Sequence, residues 1–285
     1  MFALEDNHPS RRRPLRVAVA VLSAMAFAGV SAIALQHRSG SKPVVLVPQA
    51  TTTVSCGQVI TLSIVVGNDL NCPSTVGLAV GHASITINLN GHTLAGNETN
   101  RGIDAQGFAT VTITNGTVSG WLFGVFASGT ADKVTGIRAT SNASGIALEG
   151  TGASATGNVV FQNSNRGIFL DGFSQKATSN VARENSSDGI GAGTGSVVQG
   201  NQSENNGASG IRDGGSGATI SGNVTNGNAI DGINSASDGT ATVASNTANY
   251  NGSFGIEASA GGKDGGGNAA KGNTQATQCK DVVCA

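Results

Sequence analysis

The chain has 285 residues, 43 of them Gly, with only 12% charged and 4% aromatic residues. That composition excludes a disordered chain extended by its own charge and a conventional thick core of large apolar side chains. Six of the 16 Lys/Arg (Arg11, Arg12, Arg13, Arg16, Arg38 and Lys42) but only two of the 17 Asp/Glu (Glu5 and Asp6) precede residue 43, so 10 bases face 15 acids in the remainder. With no basic stripe to meet phosphates, nucleic acid is excluded as a partner.

Residues 1–16 are polar and basic, and Val17 to Leu35 then runs 19 residues without a charge. This is either an export signal or an N-terminal membrane anchor, and residues 1–36 are assigned to it. Small-x-small cleavage patterns stand at Ala26-Phe27-Ala28 and Ala32-Ile33-Ala34. The preceding Ser10-Arg11-Arg12-Arg13-Pro14-Leu15-Arg16 resembles a twin-arginine export signal, although an ordinary basic n-region reads the same way. Either way the body leaves the cytoplasm, and any membrane contact is through this segment alone. Residues 37–53, with Ser, Gly, Pro and Thr and little periodicity, form a linker.

From Val54 the pattern turns strand-like, with Val59-Ile60 and Leu62 to Val66 enclosed by Cys56 and Cys72. This stretch is expected to cap the open end of the repeats beyond it, since a stack of strands otherwise ends in unpaired backbone groups. Ile85 to Asn90 alternates apolar and polar residues, and Thr110 to Asn115 repeats that alternation. Gly77-Leu78 is the first of a series of Gly-aliphatic pairs. The series continues at Gly102-Ile103, Gly124-Val125, Gly145-Ile146, Gly167-Ile168, Gly189-Ile190, Gly210-Ile211, Gly232-Ile233 and Gly255-Ile256. From Gly102 on, the intervals are 22, 21, 22, 22, 21, 22 and 23 residues.

Two Asn columns keep the same period. Asn115, Asn158, Asn180, Asn201, Asn223 and Asn246 lie nine residues before their glycines. Asn163, Asn185, Asn206, Asn228 and Asn251 lie four before, and both columns extend once more, to Asn268 and Asn273. A fixed period of this size means a solenoid. Gly and Asn are poor helix formers, and leucine-rich repeats need several Leu per period where this one carries at most one. That leaves an all-β, single-stranded parallel β-helix of about nine coils over residues 54–285. Successive strands are then spaced ~4.8 Å. The aliphatic residue faces the bore and the Gly permits a tight or positive-φ backbone. The Asn occupy turns, where they tolerate the left-handed region, and stack as amide ladders. After Ile256, Gly261 to Gly267 reads as a glycine-rich loop. The four cysteines fall into two local pairs outside the repeats, Cys56/Cys72 and Cys279/Cys284, without zinc spacing. They are expected to close both ends as disulfides, with free buried thiols as the alternative. A monomer is expected.

Ile87-Asn88-Leu89-Asn90-Gly91-His92-Thr93-Leu94, Asn115-Gly116-Thr117-Val118, the Gly-Ile/Asn repeats and the cysteine-bearing ends together resemble secreted right-handed parallel β-helix proteins of the pectate-lyase-like superfamily. The resemblance implies the right-handed fold. It implies no single activity, because this fold carries lyases, hydrolases, epimerases and non-enzymatic surface proteins.

The residue before each glycine is the variable column: Arg101, Phe123, Ser144, Arg166, Asp188, Ser209, Asp231 and Phe254. In β-helical polygalacturonases the catalytic residues resemble this column, as Asn-Thr-Asp, Asp-Asp, Gly-His-Gly and Arg-x-Lys on successive coils. Here Asp188 matches the first element. Ala208-Ser209-Gly210 lacks the Asp pair, Asp231 stands where His is expected, and Gly255-Ile256-Glu257 brings no base. Asp188 and Asp231, two coils apart, would lie about 9.6 Å from each other, at the wide edge of the ~6.5–9.5 Å of inverting glycosidases, with Arg166 one coil below Asp188. Asp and Ser before Gly are equally ordinary turn residues.

Trp121, Phe123 and Phe126 form an aromatic group that would stack sugars if exposed and fill the bore if not. A lyase would need Ca²⁺. The nearest acids, Glu149, Asp171 and Asp213 beside Arg212, are scattered over several coils without a compact oxygen cluster, so no cofactor is assigned. The His residues form no metal site, and Arg183 with Glu204 reads as a surface ion pair. The functions in view are an extracellular or cell-surface repeat protein contacting polysaccharide without a complete catalytic set, a polysaccharide lyase or glycoside hydrolase using Asp188 and Asp231, and a structural or adhesive surface protein.

Overall fold

The computed structural model describes residues 49–236 and 239–285. They form a parallel β-helix. Most coils contribute a short strand to each of three faces, and every named strand pairing is parallel. The first face is an 11-stranded sheet from Gln58–Ile60 to Cys279–Lys280. The second and third faces are joined because two eight-residue strands, Thr112–Ser119 and Lys133–Thr140, run through the bend between them. Elsewhere the bend separates pairs such as Ser154–Thr156 and Val159–Phe161.

The Gly-aliphatic series lies in the first face. Ile103, Val125, Ile146, Ile168, Ile190, Ile211, Ile233 and Ile256 are consecutive register partners and wholly buried. The facing column of the second sheet is Val134, Ala155, Ala177, Val198, Ile220 and Val243. The third contributes Ala139, Val160, Ala182 and Ser203. Small residues opposite the Ile column give the thin core that the composition requires. Where Ser203 enters it, its hydroxyl donates to the Gly210 carbonyl at 2.6 Å, since a buried hydroxyl needs a partner.

Both Asn columns are hydrogen-bonded ladders inside the bore. Each Oδ1 accepts the backbone N–H and the Nδ2 of the Asn one coil earlier, and each Nδ2 also donates to a backbone carbonyl. Asn158, for example, donates N and Nδ2 to Asn180 Oδ1 at 2.9 and 3.0 Å, and Nδ2 to the Val134 carbonyl at 3.0 Å.

Three details differ from the sequence reading. Asn115 lies outside the first ladder. It is one position early, in register with Gly136, and Ile137 donates its backbone N–H to Asn158 Oδ1 instead. The second ladder starts one coil earlier than expected, at Asn142, whose Oδ1 accepts the Trp121 N–H. It is closed at the far end by the Gln278 side chain, which accepts from Asn273 as a further Asn would. Nor are the ladder Asn the left-handed residues. The residue before each is: Gly157, Ser179, Gly200, Gly222, Ser245 and Gly267 in one bend, and Gln162, Glu184, Asn205, Gly227, Tyr250 and Gly272 in the other. A left-handed residue turns the chain, and the Asn after it satisfies the backbone groups the turn leaves unpaired.

The stacked glycines have no positive φ. Their reason is space: a Cβ on Gly167 would lie 2.5 Å from the Gly189 carbonyl oxygen, and one on Gly210 would lie 2.7 Å from both Gly232 O and Asn228 Nδ2. The glycine-rich stretch after Ile256 is a strand, Lys263–Gly266, paired with Thr242–Ala244 across a register shift. Disulfides join Cys56 to Cys72 in the first coil and Cys279 to Cys284 in the last. At the start, Thr52 bridges Val66. The apolar segment Val17 to Leu35 lies outside the described residues. Among those described, no helix is long and apolar enough to cross a membrane.

Candidate functional site

Strand alternation puts the residue after each stacked aliphatic on the outside of the first face. That outward column reads Asp104, Phe126, Ala147, Phe169, Gly191, Arg212, Asn234, Glu257 and Lys280 in unbroken register. Beside it runs the residue before each glycine. The two columns touch. The Arg101 guanidinium covers the Phe126 ring at 3.6 Å and also donates to Asp104 at 2.8 Å. The Arg166 guanidinium lies over Phe169 at 4.4 Å, with its Nε 3.7 Å from Asp188 Oδ2. Asn234 Nδ2 donates to Asp231 Oδ2 at 2.8 Å and Glu257 Oε2 at 3.1 Å, and Lys280 Nζ donates to Glu257 Oε1 at 2.9 Å.

Arg166 and Asp188 are thus brought together, while Asp231 belongs to a separate polar chain. Asp188 and Asp231 are each 2% exposed. Each commits one oxygen to the backbone of the next coil, Asp188 to the Ser209 N–H at 3.1 Å and Asp231 to the Phe254 N–H at 2.9 Å. This is the service the Asn Oδ1 groups perform elsewhere, done here by a carboxylate with a stronger, charge-assisted bond.

The aromatic group divides. Trp121 is wholly buried and donates its indole N–H to the Leu94 carbonyl at 2.9 Å, so it fills the bore and is not a sugar platform. Phe126 is buried beneath Arg101, and Phe123 meets it edge-on at 5.5 Å. Arg183 pairs with Glu184 at 2.5 Å rather than with Glu204; Glu204 instead accepts from Asn226. Of the residues weighed for Ca²⁺, Glu149 and Asp171 are exposed while Asp213 is buried, and among the described residues no three His, Cys, Asp or Glu gather as a metal group.

Sequence reasoning missed Phe169, Gly191 and Asn234 and met Arg212 only as a neighbour of Asp213, although each follows the Gly-Ile pair at a fixed offset. Of these, Arg212 is exposed, Phe169 and Asn234 are half-buried and Gly191 is buried. Gly191 has no side chain between Phe169 and Arg212, and a Cβ there would approach Phe169 to 3.3 Å. Gly191 itself is buried, with the Phe169 ring and the Arg166 stem lying over it and the exposed Arg212 on the next coil. At the ends of these strands the face passes into a cavity of about 170 Å³ lined by Phe169, Asp171, Phe173, Gly193, Thr194 and Gly214, among others.

A solenoid of parallel coils with stacked Ile and hydrogen-bonded Asn ladders defines a β-helix protein. Residues 124–276 match the family described as the right-handed β-helix region, and the chain belongs to that family. No match is found among curated protein sequences. Among solved structures it is similar to the Dettilon tailspike protein (gp208), with 16% identity and a TM-score of 0.64 over 77% of this chain. The match spans about half, 53%, of the tailspike chain. Pectate lyase Pel9A aligns more loosely, with 16% identity and a TM-score of 0.46 over 80% of this chain and 69% of that one. The periplasmic alginate epimerase AlgG does likewise, with 13% identity and a TM-score of 0.42 over 75% of this chain and 51% of that one.

Proposed function

We propose that this protein is an exported β-helix that contacts polysaccharide along its first face, around Arg166, Phe169, Gly191 and Arg212, without a complete catalytic set. The observation that carries the reading is the placement of the arginine-stacked Phe169 ring and the exposed Arg212 two coils apart in one register column of the first face, with only Gly191 between them. Sugars present hydroxyls and carboxylates that arginines meet with charge-assisted hydrogen bonds, and Phe169 holds the Arg166 guanidinium in place for this. The two disulfides support export, since such bonds persist in oxidising compartments.

The enzymatic reading, with Asp188 and Asp231 as acid and base and Arg166 beside them, has less support. Both carboxylates are buried and hold backbone N–H groups of the following coil. A general acid or base must reach the substrate's proton. Asp188 has a cation beside it, Arg166, with Nε 3.7 Å from Oδ2.

The test is a panel of neutral and acidic glycans assayed both for binding and for new reducing ends or unsaturated products. Binding without turnover, weakened at least tenfold by Arg166→Gln with Arg212→Gln, is the expected result. Turnover that disappears in Asp188→Asn overturns it in favour of the enzyme. Absence of any binding overturns it in favour of a structural or adhesive role.

A further inference from the structure

The repeat is not uniform, and one irregularity makes a site. From the last residue of a first-face strand to the next left-handed residue takes four steps in most coils: Leu148 to Gly152, Leu170 to Ser174 and Asp213 to Gly217. It takes only three from Ala192 to Gly195. The coil through Ile190 is therefore one residue short at this turn, in agreement with the 21-residue interval from Gly189 to Gly210. Its neighbours on both sides have full-length turns, so the short turn lies recessed between them. The cavity of about 170 Å³ lies there, spanning three coils.

The recess is lined for a ligand. Glycines keep its floor low, and at Gly193 a Cβ would come within 2.8 Å of both the Gly172 and Leu170 carbonyl oxygens. Phe173 stands at one wall with 63% of its surface exposed, in a chain with few aromatics. Phe169 forms part of the lining and joins it to the outward column of the first face, where it is the register partner of Gly191. Asp171, the sole ionisable lining residue, makes no side-chain hydrogen bond among the described residues. The Thr194 hydroxyl accepts weakly from the Ser216 N–H at 3.5 Å and keeps its own proton to donate.

From this geometry we infer that the recess is a subsite for one neutral pyranose ring, carried as a branch or end unit of the polysaccharide that lies on the first face. The volume is below the ~300–1,000 Å³ of sites for larger ligands, so a single ring fits and a chain does not. A phenyl ring receives the apolar face of a sugar. The Asp171 carboxylate accepts two adjacent sugar hydroxyls, and Thr194 donates to a third oxygen. The unpaired negative charge at Asp171 also repels a uronate, which selects a neutral sugar here even if the main chain on the Arg166 and Arg212 face is acidic.

This inference rests on the polysaccharide reading, and the experiment separates the two. Methyl glucoside, galactoside, mannoside and rhamnoside, with galacturonate as the acidic counterpart, are titrated against the full chain by saturation-transfer NMR. At least one neutral glycoside is expected to bind at least tenfold more tightly than galacturonate. Phe173→Ala is expected to weaken that binding at least fivefold. So is Gly214→Leu, because a Cβ at Gly214 has room, its nearest neighbour being Ala192 O at 3.8 Å. Asp171→Asn should narrow the preference over galacturonate. Equal binding in wild type and Gly214→Leu, a preference for galacturonate, or no response to any glycoside overturns the subsite. If polymer binding nevertheless persists and falls with the Arg166/Arg212 variant, the polysaccharide reading stands without the subsite.

Discussion

Asn201 sits in the middle of the first ladder and is the sharpest place to test what holds the coils together. Its side chain takes part in four hydrogen bonds. Oδ1 accepts Asn180 N at 2.8 Å and Asn180 Nδ2 at 3.0 Å, while Nδ2 donates to the Ala177 carbonyl at 2.9 Å and to Asn223 Oδ1 at 3.0 Å. The residue is buried. Asn201→Ala removes all four and strands the Asn180 N–H where water does not reach. At about 1 kcal/mol net per bond, with an added penalty for the orphaned donor, the loss is about 4–5 kcal/mol. For a domain of this size that corresponds to a fall in Tm of roughly 8–20 °C. The assay is thermal and urea unfolding followed by far-UV circular dichroism, with the urea slope checked for constancy so that the midpoints compare stabilities. Asn165→Ala is the control. Asn165 is exposed and its side chain makes no hydrogen bond among the described residues, so its loss should stay within about 0.5 kcal/mol. If Asn201→Ala costs no more than Asn165→Ala, the amide ladder is not a stabilising device and the account of the bends is wrong.

Gly189→Ala should destabilise by about 3 kcal/mol, because a Cβ there meets Ser203 Oγ, Asn206 Nδ2 and the Gly210 carbonyl. Gly157→Ser should cost only about 1 kcal/mol, since that left-handed position is open and Ser already fills it in other coils at Ser179 and Ser245. Equal losses in urea unfolding would refute the close-packing explanation for the stacked glycines. Asp132 is 1% exposed and accepts the N–H groups of Val111 and Gly129. Burial pushes its carboxyl up to about 6, against those two bonds, which pull it down. The folded value exceeds the unfolded one, so this contribution is present below about pH 3.8 and is lost as pH rises through about 6. Relative to Asp132→Asn, the wild type should therefore gain on the order of 3 kcal/mol from pH 7 to pH 4; a flat difference across that window counts against it. Removing the Cys56–Cys72 bridge, which closes a 16-residue interval, should cost about 3 kcal/mol. Tm with and without reductant, compared with a Cys56→Ser/Cys72→Ser variant, measures it.

Periodicity alone made the solenoid legible, because a stack of coils must repeat whatever chemistry lets one coil lie on the next. Ile146, Ile168 and Ile190 in the bore and the ladder members Asn158, Asn180 and Asn201 are local consequences of a 21–23-residue period, while the cysteine pairing at each end was legible from short sequence separation alone. Much of the candidate site was visible only in part. The variable column was found, but its Asp188 and Asp231 face the backbone of the next coil, a contact between residues 21 and 23 positions apart that no local pattern announces. Phe169 and Gly191 were within reach of the same alternation that located the Ile column. They stayed unnoticed because an outward column need not repeat.

By itself the sequence determined the class of fold and most of the residues that hold it, since those follow from spacing and from what Ile, Gly and Asn do in a backbone. The tertiary structure decided which side chains are spent on the fold and which remain for a ligand. Trp121 is hidden and Phe173 is not; Asp231 is tied into a polar chain and Asp171 stands open. A turn one residue short becomes a recess only when full-length turns lie on both sides of it. These distinctions depend on contacts between coils, and there the packing of neighbours, not the local chain, sets exposure and geometry.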